Sequence, residues 1–127
     1  MSFTFDTWTS EAGDPYLSMT GHYISAPKAS PQEWTLKSEQ LGFTHIEGNH
    51  SGANIGGILV RIIDRYGLRQ KVSNFNHFIS LYFRHYACKI GWFTADNASN
   101  NFSALKEVSR QLHGDLPDWD PKQHYIR

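Results

Sequence analysis

One stretch, Ile90, Gly91, Trp92, Phe93, Thr94, Ala95, Asp96, Asn97, Ala98, Ser99, Asn100, Asn101, constrains the fold more than any other. Its first half is apolar and β-prone, its second half is polar, and an amphipathic helical pattern follows, so Asp96 stands where a strand ends. A carboxylate in that place is positioned to bind something. Its counterpart lies near the other end of the chain, in Phe3, Thr4, Phe5, Asp6, Thr7, Trp8, Thr9, Ser10. There aspartate, a residue disfavoured in strands, interrupts a second β-prone run. Two strands that each carry one carboxylate are a common way to build a divalent-metal site, because hard cations prefer oxygen ligands.

The rest of the chain supplies a frame for those two runs. Residues 2–8 alternate aromatic with small polar side chains and predict a strand; Gly13, Asp14 and Pro15 form a turn cluster, and 16–25 alternate again. Residues 26–32 carry two prolines and no periodicity, and 34–43 predict a third strand with Trp34, Leu36 and Leu41 facing inward. Short turns join the three, which makes an antiparallel meander. Ser51 is expected to cap a helix from 52 to about 66, with Ile55, Ile58, Leu59, Ile62 and Ile63 at helical spacing and Gly67 just past its end. Gly52, Gly56 and Gly57 lower helix propensity but leave a smooth surface for close packing. That reading is preferred to a phosphate cradle because the lysine-containing signature is missing.

Residues 73–89 place Phe75, Phe78, Ile79, Tyr82, Phe83 and Tyr86 at helical spacing, so an extra amphipathic helix is predicted there. A strand at 91–95 and a helix over 98–113, with Phe102, Leu105, Val108 and Leu112 on one face, follow. The segment 115–127, with Pro117 and Pro121, reads as an irregular tail. The fold class is therefore α/β, with a mixed sheet. Trp8, Trp34 and Trp92 are expected in its core.

A chain of 127 residues makes about one domain. Twelve basic and twelve acidic residues cancel, so the chain lacks the electrostatic footprint of a tight nucleic-acid binder. No charged and then apolar leader is present and no run approaches the ~18 apolar residues that span a bilayer, which suggests an intracellular, non-secreted chain with no membrane partner. Cys88 is the single cysteine, so neither an internal disulfide nor a cysteine-based zinc site forms within the chain.

Three motifs resemble those of one family. Phe5, Asp6, Thr7, Trp8, Thr9, Ser10 resemble the first acidic motif of the hAT superfamily of DNA transposases. His50, Ser51, Gly52, Ala53, Asn54, Ile55 are similar to its conserved helix start, and Thr94, Ala95, Asp96, Asn97, Ala98, Ser99, Asn100, Asn101 to its second acidic motif. Trp34 and Leu36 fall where the family has its tryptophan strand. The three motifs occur in the family's order, and the chain is similar to the plant and fungal members that carry a BED zinc finger upstream and a dimerisation region downstream, neither of which these residues include.

The resemblance implies an incomplete RNase H-like fold: a three-stranded antiparallel meander, a helix, an inserted helix, a fourth strand and a helix. It implies that Asp6 and Asp96 are catalytic and metal-binding acids, two of a set of three, with Asn97 and Asn100 as possible support for the site. The implied cofactor is Mg²⁺ or Mn²⁺, the implied partner DNA, and the implied location the nucleus. In such a site two cations roughly 4 Å apart activate water or a DNA 3′-hydroxyl and stabilise the leaving oxygen.

Two departures follow from the same resemblance. The third acid, a glutamate, lies in the family beyond a large helical insertion, downstream of these residues, and Glu107 does not match its position. Joining Val72 directly to Gly91 restores the family's pattern, so 73–90 reads as an insertion, either a retained intron or a genuine added helix. The functional expectation is a transposase catalytic-domain fragment, inactive alone. The alternatives are a domesticated DNA-associated or protein-interaction module, and a small nuclease that recruits Glu107 or Asp120. An acid followed by Asn and Ser also reads as a helix N-cap cluster.

Overall fold

Alternating side chains account for the first three strands. The computed structural model describes residues 1–27, 29–69, 90–96 and 98–127. In it β1 (Ser2–Thr9), β2 (Pro15–Ser25) and β3 (Thr35–His45) form the antiparallel meander. The β1–β2 turn closes through Gly13, whose φ of +91° suits glycine and whose N–H donates to the Ser10 carbonyl at 2.9 Å. The register of β2 on β3 shifts between Met19 and Thr20, where Leu41 is the extra residue of a bulge.

Helix α1 (Gly52–Arg65) starts at Ser51, whose Oγ accepts from the Asn54 N–H at 3.3 Å. Asn54 in turn donates its side-chain amide to the carbonyls of Glu47 and Asn49. The helix stops at Gly67, whose φ of +59° is costly for other residues. The chain returns through β4 (Phe93–Thr94) and α2 (Ser99–Leu112) and finishes with β5 (Tyr125–Ile126). β4 and β5 add to the sheet in parallel, and its order is β3-β2-β1-β4-β5. The result is a mixed five-stranded α/β sheet with two helices, in keeping with a partial RNase-like fold. The inserted helix expected at 73–90 falls, apart from Ile90, outside the described residues.

The core lies on one side of this sheet. Phe3, Phe5, Leu17, Met19 and Phe93 point there and are 1% exposed or less, and they meet Ile55, Leu59, Ile63, Leu105 and Leu112 from the helices. Residue for residue, α1 crosses α2 closely: a Cβ on Gly56 would stand 2.5 Å from the Ala104 carbonyl oxygen, so glycine is required by contact and not by turn geometry. Among the described residues no helix is long and apolar enough to cross a membrane.

Three expectations fail. The tail at 115–127 is not irregular throughout, because β5 pairs with β4 and Trp119 is buried at 5% exposure, donating Nε1–H to the Gly91 carbonyl at 2.9 Å. Trp34 and Leu36 face outward at 59% and 67% exposure, since the far end of the β2–β3 hairpin projects past the helices; only Leu41 faces the core. Trp8 and Trp92, at 38% and 47%, are surface residues. Aromatic content marks a strand, but which side of it is covered depends on where the helices dock.

Candidate functional site

Strand parity sets the two aspartates on the side of the sheet left uncovered by the described helices. Along β1 the side chains of Phe3 and Phe5 are buried and those of Thr4 and Asp6 exposed; along and past β4, Phe93 and Ala95 are buried and Asp96 is exposed. β1 and β4 are adjacent and parallel, with Phe3 opposite Phe93 and Thr4 opposite Thr94. Asp6 and Asp96 each follow those paired residues by two positions, Asp6 within β1 and Asp96 just past the end of β4. Antiparallel pairing on the other edge of β1 sets Ser18 beside Asp6. No hydrogen bond or ion pair engages the Asp6 carboxylate among the described residues.

Asp96 is more firmly tied. Its Oδ1 accepts from the Ala98 N–H at 3.1 Å and from the Asn101 side-chain amide at 2.6 Å. Its backbone carbonyl accepts from the same Asn101 amide at 3.2 Å and from the Tyr125 hydroxyl at 2.7 Å. Burial pushes the Tyr125 phenol up; the charge of Arg127 offsets part of that and the Asp96 carboxylate adds to it. The Asp96 Oδ1 bond to the Ala98 N–H is an Asx-type contact just before α2 and not a helix cap, since among the described residues α2 has no side-chain cap hydrogen bond.

Of the supports expected, Asn100 belongs elsewhere. Its side-chain amide donates to the His50 carbonyl at 2.9 Å and ties the head of α2 to the loop before α1. Two of the three sequence motifs are therefore joined directly, and Gly52 is needed because a Cβ there would overlap Ser103 and the Ala104 backbone. Asn97 lies outside the described residues. Tyr125 is the partner that the sequence did not single out, and it comes from the segment read as tail.

Further carboxylates do not converge on the pair. Glu107 sits on α2 against α1, bonded to Arg110 at 2.5 Å and to Gln111 at 2.7 Å, and the hydrogen bond from Arg110 holds its carboxyl down at about 2. Asp120 accepts from the Lys122 N–H at 2.9 Å and shapes a turn. Among the described residues no group of three His, Cys, Asp or Glu side chains stands ready for a metal ion. What the uncovered face offers is a pair of exposed carboxylates with three oxygens free of protein partners, both from Asp6 and Oδ2 from Asp96. Such a donor set fits a hard cation that keeps several of its waters, as Mg²⁺ does, and is too small to enclose one.

Known proteins resemble this chain in sequence. The family model of the ZBED1 RNase-like domain matches residues 4–78. The chain is 22% identical, over 98% of its length, to the transcriptional regulator tpeD of Talaromyces stipitatus, of which it covers 12%. It is 30% identical, over 56% of its length, to an AC transposase of Zea mays, of which it covers 8%. The chain thus spans a small part of either relative. No solved structure gives a significant match. The strand order, the three motifs and these matches together place the chain in the ZBED1 RNase-like family, as a domain related to the hAT-type transposases.

Proposed function

We propose that this domain keeps the cation-binding half of a transposase active site and associates with DNA without cutting it. Asp6 and Asp96 are the residues that would hold Mg²⁺ or Mn²⁺ and are the catalytic acids of the ancestral reaction. When bound there, such an ion supplies Lewis acidity toward a phosphodiester and lowers the pKa of its water. The observation that supports the reading is that β1, which carries the exposed Asp6, pairs in parallel with β4, which ends two residues before the exposed Asp96. Cleavage requires a further acid to complete the coordination, and among the described residues none approaches.

Likeness to the Talaromyces regulator across nearly the whole chain favours the non-cutting arm, a DNA-associated module that acts in the nucleus. The formal charge of zero argues that binding by these residues is weak, which is why low salt is the condition that reveals it. A plasmid-nicking assay in Mg²⁺ and in Mn²⁺, run beside a gel-shift titration at low salt, tests both parts. The expected result is retardation without nicking. Cation-dependent nicking that Asp6→Asn and Asp96→Asn abolish would contradict inactivity, and no retardation at any salt would remove the DNA.

A further inference from the structure

We infer that Asn101 is the positioning residue of the candidate site: its side-chain amide fixes one oxygen of Asp96 and so leaves the other presented to a divalent cation. The inference rests on the proposed reading of Asp6 and Asp96 as cation ligands and goes beyond it in naming what orients them.

Asn101 is 1% exposed and is the one buried polar side chain among the described residues. Its NH₂ group makes two bonds, to Asp96 Oδ1 at 2.6 Å and to the Asp96 carbonyl at 3.2 Å. Both partners are acceptors, so the orientation of the amide is determined: turned over, it would set oxygen against oxygen. The bond to Oδ1 is short, as expected when the acceptor is charged.

The other end of the same amide has no partner among the described residues. Burying an amide oxygen without a hydrogen bond is unfavourable, so for packing alone a leucine of similar size would serve α2 better. The amide is explained by what its NH₂ group does. With Ala98 N–H it directs two donors at Oδ1 and none at Oδ2, while the Tyr125 hydroxyl anchors the carbonyl behind them. Asp96 is thereby restrained at both its carboxylate and its backbone. Partners that orient a metal-binding side chain typically alter metal affinity 10–100-fold when removed.

The test uses the 127-residue chain, two variants and two readouts. Without metal, three-bond Hα–Hβ couplings report the Asp96 χ1 angle. They are expected to show one rotamer in the parent and averaging in Asn101→Leu, while Asp6→Asn keeps the single rotamer. With Mn²⁺ as the probe, broadening of the Thr4 and Thr94 amide signals gives a Kd, expected to rise about tenfold or more in Asn101→Leu while the other amide signals stay dispersed. If Asn101→Leu loses that dispersion, Asn101→Ala is read in the same way. Unchanged couplings with a Kd within twofold of the parent would overturn the role of Asn101, and if Asp6→Asn still loses Mn²⁺ the reading of the site survives. Mn²⁺ binding that ignores both Asp6→Asn and Asp96→Asn would overturn the site itself, and the positioning role with it.

Discussion

The two sides of the sheet are built from alternate residues of the same strands and do different work. On the covered side Phe3, Phe5, Leu17, Met19 and Phe93 pack against two helices and are sealed from water. On the uncovered side the same strands present Thr4, Asp6, Trp8, Ser18 and Thr94, with His22 bonded to Thr4 at 3.0 Å and to Ser38 at 2.9 Å. An aromatic group of Trp8, Tyr16 and Phe43, with ring centres 5.4–5.9 Å apart, lies one alternate position along β1 from Asp6. Folding free energy comes mainly from the first side, because burial of apolar area scales with area removed from water. The second side is therefore free to change its chemistry with little effect on stability.

Substitutions can break or sharpen that contrast. The largest effect is expected for Phe93→Ala, which removes a ring in contact with Phe3, Phe5 and Trp119 and should cost about 3–5 kcal/mol in urea unfolding. Next, Gly56→Ala should destabilise by roughly 1–3 kcal/mol despite alanine's better helix propensity, since its Cβ meets the Ala104 carbonyl and Glu107. Gly57→Ala, where the nearest atom is 3.8 Å away, should instead stabilise by up to about 1 kcal/mol. On the uncovered side Trp8→Ala should cost only about 0.5–1.5 kcal/mol, the worth of its ring contacts. A loss as large as that of Phe93→Ala would mean the two sides share the core.

The smallest effect is one of pH. The Glu107 carboxyl is held at about 2 by Arg110, below its ordinary 4.5, so its contribution is present above pH 4.5 and is lost as the pH falls toward 2. Arg110 is mostly exposed, so solvent screens the pair and its contribution is small. Thermal melts should find Glu107→Gln slightly less stable than the parent near neutrality and equal to it at the acid end.

Much of the frame was legible because its signals are local. Alternation located β1, β2 and β3, helical spacing located α1 and α2, and Ser51 and Gly67 marked the ends of α1 as expected. The motif around Asp96 was legible as an acid at a strand end. What escaped depends on long-range docking. Tyr125 reaches Asp96 only because β5 pairs with β4, and a two-residue strand carries too little periodicity to announce itself. Asn101 and Asn100 are adjacent in sequence and similar in chemistry, yet the turn of α2 sends one to Asp96 and the other to His50. Trp34, expected in the core, is exposed, and Trp119, from the segment read as tail, is buried, because burial is decided by which strand ends the helices cover.

The central claim is that Asp6 and Asp96 form one cation site on the uncovered side of the sheet. The most direct measurement is the anomalous difference map of crystals of this chain soaked in Mn²⁺. The account predicts a peak bound by carboxylate oxygens of both Asp6 and Asp96, absent from crystals of Asp6→Asn. Mn²⁺ bound elsewhere, with the two carboxylates directed away from each other, would contradict it.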